Sequence, residues 1–227
     1  MQWLDENEMS FPDPGDGDDD GLIAIGGDLS PERLLFAYSL GLFPWFNEDD
    51  PILWWSPNPR LVLFPADLKV SKSMRPYFNQ GKFTVSYNRC FRKVMEQCAA
   101  KSRIGQEGGT WISADIIDAY SKLHQLGFAH SVEVWDKNEQ LIGGLYGIAL
   151  GKVFYGESMF SHVSNASKFG FITMVQNLSA HEFKMIDCQQ ETAHLTSLGA
   201  KSIARTEFMD KLFEWTKAKP LTGFLKS

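Results

Sequence analysis

Residues 140–161, "QLIGGLYGIALGKVFYGESMFS", decide the fold. Two apolar runs rich in strand-forming types flank the dipeptide Gly151-Lys152, so the stretch reads as two strands joined by a tight turn. Just upstream, "HSVEVW" (130–135) and the turn-like "DKNE" (136–139) add a third strand. One residue breaks the pattern. Glu157 interrupts the second run, although a buried carboxylate is costly unless it is paired or has work to do.

Helices and further strands surround this hairpin region. Downstream, "NASKFGFITMVQNLSA" (165–180) predicts a helix and "KMIDCQ" (184–189) a short buried strand. "SLGAKSIAR" (197–205) then predicts a turn and strand, and "RTEFMDKLFEWTKA" (205–218) a closing helix capped by Thr206. Upstream, "LVLFP" (61–65) and "KFTVSY" (82–87) read as strands. "NRCFRKVMEQCAA" (88–100) reads as a helix capped by Asn88, and "WISADIIDAYSKLHQLG" (111–127) as a helix capped by Ser113 and stopped by Gly127. Near the N-terminus, Ser30, Pro31 and Gly41 punctuate a helix within "GGDLSPERLLFAYSLG" (26–41). "FPDPGDGDDD" (11–20) reads as loop, and the proline- and tryptophan-rich residues 42–60 as irregular backbone closing a first domain. The fold class expected is α+β. A small N-terminal domain (1–60) precedes a mixed sheet with flanking helices (61–227).

The 227 residues, 44% hydrophobic and 22% charged, describe an ordinary globule. No apolar run approaches the ~20 residues of a membrane span, and the acidic start "MQWLDENEMS" does not read as a signal peptide. Cys90, Cys98 and Cys188 lack paired spacing, which points to a reducing, cytoplasmic setting. The net charge of −6 is unevenly spread: residues 1–60 hold 13 acids and 2 bases, residues 61–227 hold 15 acids and 20 bases. A mildly basic body therefore follows an acidic piece.

Several chemistries lack their motifs. There is no phosphate-cradling G-x-x-x-x-G-K-[ST], no zinc-binding H-E-x-x-H and no G-x-S-x-G nucleophile elbow. Asp16, Asp18, Asp20 and Gly21 open like a calcium loop, but Gly27 stands where the bidentate Glu belongs, so no metal is expected. Cys188 with His194 reads better as core than as a nucleophile pair. "QLIGGLYG" nearly reproduces the Q/R-x-x-G-x-G/A loop that binds coenzyme A phosphates in acetyltransferases. Leu145 fills the last small position and strand rather than helix follows, so no cofactor is expected.

Two constellations remain. Glu157, Asp187 and Gln189 form an acid–amide set in apolar strands, with Gln189 two residues after Asp187 and so expected on the same face. Lys168 or Arg205 would be a purely structural partner for Glu157. Trp45, Trp54, Trp55 and Trp111 sit in loops or at element ends; Trp54 and Trp55 suit a domain interface, while a flat indole can also stack on a nucleobase.

The stretches "GLIAIGGDLSPERLLFAYSLGLFPWF", "DPILWWSPNPR", "GTWI", "LGFAHSVEVW", "IGGLYG", "GESMFS", "NASK", "IDCQ", "LGA" and "IAR", in that order from about residue 11 to 205, resemble the leucyl/phenylalanyl-tRNA–protein transferase family. The resemblance implies an acyltransferase-like (GNAT-type) domain without coenzyme A. It implies transfer of Leu or Phe, and less well Met, from aminoacyl-tRNA to proteins beginning with Arg or Lys, marking them for degradation. It assigns adenosine stacking to Trp45 and Trp111, and the aminoacyl pocket to Leu145, Phe154, Met159, Phe171 and Met174. Leu145, Phe171 and Met174 differ from the residues of another member, at similar bulk. Glu157, Asp187 and Gln189 take the polar catalytic places. The tRNA backbone is expected on Lys69, Lys72 and Arg75 and on Arg89, Arg92 and Lys93, and the enzyme is expected to be a monomer. Two other readings stay open: a silent aminoacyl-tRNA-binding module, and a coenzyme A-dependent acetyltransferase.

Overall fold

The computed structural model describes residues 2–17, 20–100, 110–218 and 225; Asp18 of the calcium-like stretch and Gly109 of "GTWI" lie outside them. Among the described residues, eleven strands form two sheets. The smaller sheet holds β1 (Gln2–Leu4), β2 (Leu22–Gly26), β3 (Phe43–Pro44) and β4 (Leu53–Trp55), in the order β1-β2-β4-β3. Residues 42–60, expected to be irregular, thus contain two strands; these are two and three residues long, too short to show a period between the prolines. The larger sheet holds β5 (Arg60–Leu63), β6 (Thr84–Tyr87), β7 (Ala129–Trp135), β8 (Leu141–Leu150), β9 (Val153–Ser161), β10 (Met185–Gln189) and β11 (Lys201–Ile203). Its order is β11-β5-β10-β9-β8-β7-β6, antiparallel except where β10 lies parallel to β9.

The helices are α1 (Pro31–Ser39), α2 (Arg75–Asn79), α3 (Phe91–Ala99), α4 (Ala114–Gln125), α5 (Ala166–Ala180), α6 (Ala193–Ser197) and α7 (Arg205–Thr216). Local chemistry explains their ends. Ser30 Oγ accepts from Arg33 N–H and Ser113 Oγ from Ile116 N–H, while Gly41 and Gly127 take the left-handed φ values of 74° and 84° that stop α1 and α4. Asn88 and Thr206 do not cap. The N-cap of α3 is Cys90 and that of α7 is Ala204, neither with a side-chain cap bond. Asn88 instead accepts from Ser131 N–H and donates to the Leu225 carbonyl.

The larger sheet is buried on both faces. One face packs Val132, Leu145, Phe154 and Ile186 against α5 through Phe171, Met174 and Val175. The other packs Ala129, Tyr146, Ile148 and Tyr155 under α1, α3, α4 and α7. Leu34, Ala37 and Tyr38 of α1 share that core with Ile116, Tyr120 and Phe208, so the described apolar residues of the N-terminal unit pack into the core of the larger sheet. Inside the unit, Arg33 is fully buried. Its guanidinium donates to Asp28 Oδ2 and to the carbonyls of Asp5, Glu6 and Glu8, fixing the N-terminal turn. No helix among the described residues is long and apolar enough to cross a membrane.

Candidate active site

The site opens where two neighbouring strands part. β9 and β10 pair from Val153↔Met185 to Tyr155↔Asp187 and no further. Each also carries a bulge there. On β9, Tyr146↔Ser158 is followed by Gly147↔Gly156, leaving Glu157 as the extra residue. On β10, Asp187↔Val62 is followed by Gln189↔Leu61, leaving Cys188 as the extra residue, and Gln189 sits at φ 62°. Bulges re-aim side chains and end pairing. The bulge at Glu157 also shifts the side-chain parity, so Phe154 and Met159, five residues apart, pack on the same face while Tyr155 and Phe160 share the other.

Beyond the parting lies a cavity of about 540 Å³. Its apolar wall is Leu145, Met159, Phe171 and Met174; Trp45 and Trp111 line it together with Phe43 and Pro44 of β3. Phe154, expected in the aminoacyl pocket, is fully buried in the same cluster as Leu145 and Phe171 but does not line the cavity. Trp55 donates from Nε1 to the Trp45 carbonyl at 2.7 Å, and the two indoles sit 5.8 Å apart, so Trp55 fixes Trp45 in place. Trp54 is fully buried, bonding the Gly26 carbonyl. Trp111, just ahead of α4, is 6% exposed.

The polar wall holds Glu157, Gln189, Ser158 and His194. Glu157 is 8% exposed, and burial, its largest influence, pushes its carboxyl up to about 8. Gln189 Nε2 donates to Glu157 Oε1 at 3.3 Å and the Tyr120 hydroxyl to Oε2 at 3.5 Å; Tyr120 in turn bonds the Tyr38 hydroxyl of α1. Neither Lys168 nor Arg205 is the partner of Glu157. Arg205 donates to the Ser56 and Gly15 carbonyls instead.

Asp187 lies behind this wall with no exposure. Arg60 meets it in a two-pronged pair, Nε to Oδ1 at 2.8 Å and Nη2 to Oδ2 at 2.6 Å, and both side chains are fully buried. The Arg60 guanidinium is sandwiched between the rings of Phe43 (4.9 Å) and Phe208 (4.6 Å). Asp187 Oδ1 also accepts the backbone N–H of Gln189 at 2.9 Å, across the bulge. Asp187 therefore fixes the backbone of Gln189 and not its amide, and the bulge cancels the simple same-face alternation expected for the two residues. Arg60 and Tyr120 carried no functional expectation from sequence. A basic residue ending a proline-rich segment gives no signal of its partner 127 positions away.

Three other expectations find their places. Cys188 lines the cavity, but burial pushes its thiol well up, so it stays protonated and unreactive. Residues 141–150 are strand throughout, so no helix N-terminus follows the glycines of "QLIGGLYG". Lys69, Lys72, Arg75, Arg89, Arg92 and Lys93 are all exposed; Arg92 is paired with Glu96 and Asp118, and Arg89 lies over Trp135. Among the described residues, no group of three or more His, Cys, Asp or Glu gathers as a metal site.

A family model described as leucyl/phenylalanyl-tRNA protein transferase matches residues 62–213, and the model of that family's N-terminal domain matches residues 27–58. A leucyl/phenylalanyl-tRNA–protein transferase of Nitrosospira multiformis is 58% identical over 194 residues, covering 86% of this chain and 82% of that one. One from Christiangramia forsetii is 58% identical over 211 residues, covering 92% and 98%. Among solved structures, a GCN5-related N-acetyltransferase from Kribbella flavida overlaps at TM-score 0.36 and 11% identity, over 77% of this chain and 61% of that one, a likeness too distant to bear on activity.

Proposed function

The chain belongs to the leucyl/phenylalanyl-tRNA–protein transferase family, and from that premise we propose that it moves Leu or Phe, and Met less well, from aminoacyl-tRNA to proteins beginning with Arg or Lys. The observation that carries this reading is an acid–amide pair, Glu157 and Gln189, at the lip of an apolar cavity that two tryptophans also line. In this reading Leu145, Met159, Phe171 and Met174 hold the donor's side chain, and Trp45 and Trp111 stack on its terminal adenosine. Phe154 supports that wall from behind. Modification of acceptor N-termini in the cytoplasm by a monomeric enzyme, marking its targets for degradation, completes the reading. The boundary between the small N-terminal domain and the acyltransferase-like domain falls near residue 60, where β5 begins, supported by the small sheet ending at Trp55 and the large one starting at Arg60.

The reaction needs positioning more than activation. The donor is an ester, already reactive toward amines. The acceptor's α-amine attacks the ester carbonyl carbon. A C–N bond forms, the C–O bond to the ribose breaks, and the leaving oxygen takes up a proton. The amine must first lose the proton it carries as an ammonium, with a pKa of ~7.7–8.0. Burial that pushes the Glu157 carboxyl up to about 8 brings it toward that value and suits it to take up the amine's proton. In the empty site at neutral pH Glu157 is mostly protonated. It becomes anionic as a cationic acceptor arrives. Gln189 donates to Glu157 through Nε2 and offers its amide oxygen to an amine N–H. Asp187 and Arg60 fix the bulge that aims Gln189.

The test mixes the protein with charged Phe-tRNA and a peptide starting in Arg, and seeks a peptide heavier by one Phe residue by mass spectrometry. Acetyl-CoA serves as the control donor. Phe addition is expected; acetylation without Phe addition would overturn the reading in favour of a coenzyme A enzyme, and donor binding without transfer would leave only a binding module.

A further inference from the structure

A second, smaller cavity of about 290 Å³ adjoins the first, and Ser167 and His194 line both. Its wall is the turn from β9 into α5. Ser161, Ser164 and Ser167 supply hydroxyls there, Lys168 an ammonium, and His162 and His194 two imidazoles. No carboxylate is among the described residues that line it. The main cavity, by contrast, has an acid at its lip and, among the described residues, no lysine or arginine in its lining. The two compartments therefore suit opposite charges.

The smaller cavity also lies between the two exposed basic stretches. On one side, Asn165 Nδ2 donates to the Tyr77 hydroxyl at 3.2 Å, and Tyr77 belongs to α2, whose first residue is Arg75. The Lys82 ammonium stands 5.7 Å from the Tyr77 ring centre. On the other side, His162 Nε2 meets Gln97 Oε1 at 2.7 Å. Gln97 follows Lys93 by one turn on the same face of α3. Residues of this cavity's wall thus contact both elements that carry the basic stretches, α2 and α3.

We propose that the smaller cavity binds the last phosphodiester of the donor RNA, the one joining its terminal adenosine to the preceding nucleotide. The proposal rests on the reading of the main cavity as the site of that adenosine and its aminoacyl group. With the adenosine held by Trp45 and Trp111, the next anionic group along the strand is this phosphate, and a compartment with cationic and hydroxyl donors adjoins the main cavity, sharing Ser167 and His194 with it. Lys168 supplies the charge, and the hydroxyls of Ser164 and Ser167 supply donors that read no base. This gives a positioning contact common to every donor tRNA, since all end in the same backbone.

The test uses two unreactive donors. One is phenylalanine amide-linked to 3′-amino-3′-deoxyadenosine, which has no phosphate. The other is the same compound extended at its 5′ oxygen by a cytidylyl phosphodiester. Both are titrated into the wild-type protein, Lys168→Gln and Lys168→Arg. The dinucleotide is expected to bind the wild type on the order of tenfold tighter, the worth of one charge-assisted hydrogen bond. Its log affinity should fall with log salt more steeply by about 0.7, one phosphate neutralised on a single strand. In Lys168→Gln the gap between the two compounds should close while the nucleoside affinity stays put, and Lys168→Arg should keep the gap. An undiminished gap in Lys168→Gln, or no gap in the wild type, overturns the phosphate site alone. Failure of the nucleoside compound to bind the wild type overturns the donor reading, and the phosphate site with it.

Discussion

Replacing Asp187 by Ala should remove much of the protein's stability margin as well as stop transfer. Arg60 and Asp187 are both fully buried, joined by two hydrogen bonds of 2.8 and 2.6 Å, and among the described residues Asp187 is the one carboxylate that Arg60 meets. The third guanidinium nitrogen, Nη1, already has no hydrogen-bond partner there. Removing the acid leaves a buried cation facing two phenyl rings and a small void. Breaking a buried pair from one side costs about 3–5 kcal/mol. Against a total of roughly 5–15 kcal/mol, that is a large share. With a urea slope near ~3 kcal/mol/M, the midpoint should fall by about 1–2 M. The double variant Arg60→Met/Asp187→Leu should recover most of the lost midpoint, because no charge remains buried, yet stay inactive because the Gln189 backbone has lost its acceptor. Urea unfolding of the wild type and both variants, alongside Phe transfer to an Arg peptide, is the assay. A wild-type midpoint in Asp187→Ala would show that the pair carries no net structural load. Full activity in the double variant would remove the positioning role as well.

Other expectations are narrower. Trp111→Ala should weaken donor binding by about 1–3 kcal/mol, the value of one stacked base, and an unchanged affinity by titration would leave Trp111 as core alone. Glu157→Gln should change how stability depends on pH. The folded carboxyl keeps its proton to about pH 8 while an unfolded one releases it near its ordinary value of 4.5, so the folded state binds more protons between those limits and wild-type stability falls as pH rises through them. Melting temperatures of the two proteins should therefore diverge in favour of the variant as pH rises from 5 to 8; parallel curves would contradict the raised carboxyl. Neutralising Lys69, Lys72, Arg75, Arg89 and Lys93 should flatten the salt dependence of tRNA binding by roughly 0.7–0.9 for each phosphate that is then left without a cation. Arg92→Gln alone should change it least, because Glu96 and Asp118 already hold that side chain; an unaltered slope in the fivefold variant would put the tRNA elsewhere.

What the sequence announced is what local chemistry controls. Ser30 and Ser113 cap the helices they were expected to cap, and Gly41 and Gly127 stop them, because each acts within a few residues of itself. The hairpin of β8 and β9 was legible from alternating turn signals and apolar runs. The family's motifs brought Glu157, Gln189, Trp45, Trp111 and four of the five pocket residues to one cavity. What stayed hidden was long-range. Arg60 finds Asp187, and Tyr38 finds Tyr120, only after the sheet is assembled. The bulge at Glu157 was hidden for a different reason. Gly156 hints at it, but the period-two pattern of a strand assigns residues to faces as though none were inserted, and one extra residue reverses every assignment beyond it. Phe154 shares a cluster with the pocket wall without lining the cavity.

The first sixty residues contain two cationic side chains, Arg33 and Arg60, and both are fully buried. Whatever the interior needs from them, the exterior of that unit is left with acidic side chains and no cationic ones to offset them. The surface charge is therefore uneven, acidic on the N-terminal unit and basic on the exposed side chains of Lys69, Lys72, Arg75, Arg89, Arg92 and Lys93. A tRNA drifting toward it feels a torque before it touches the surface. Screening limits this to about 8 Å at physiological ionic strength, so the effect belongs to the last moments of approach. If the basic stretches are where tRNA docks, as proposed, an approach to the N-terminal unit is repelled in those moments and an approach to the stretches is held. Adding lysines to the exterior of that unit would leave the site intact and still slow productive encounters, because more collisions would begin with the RNA facing the wrong way.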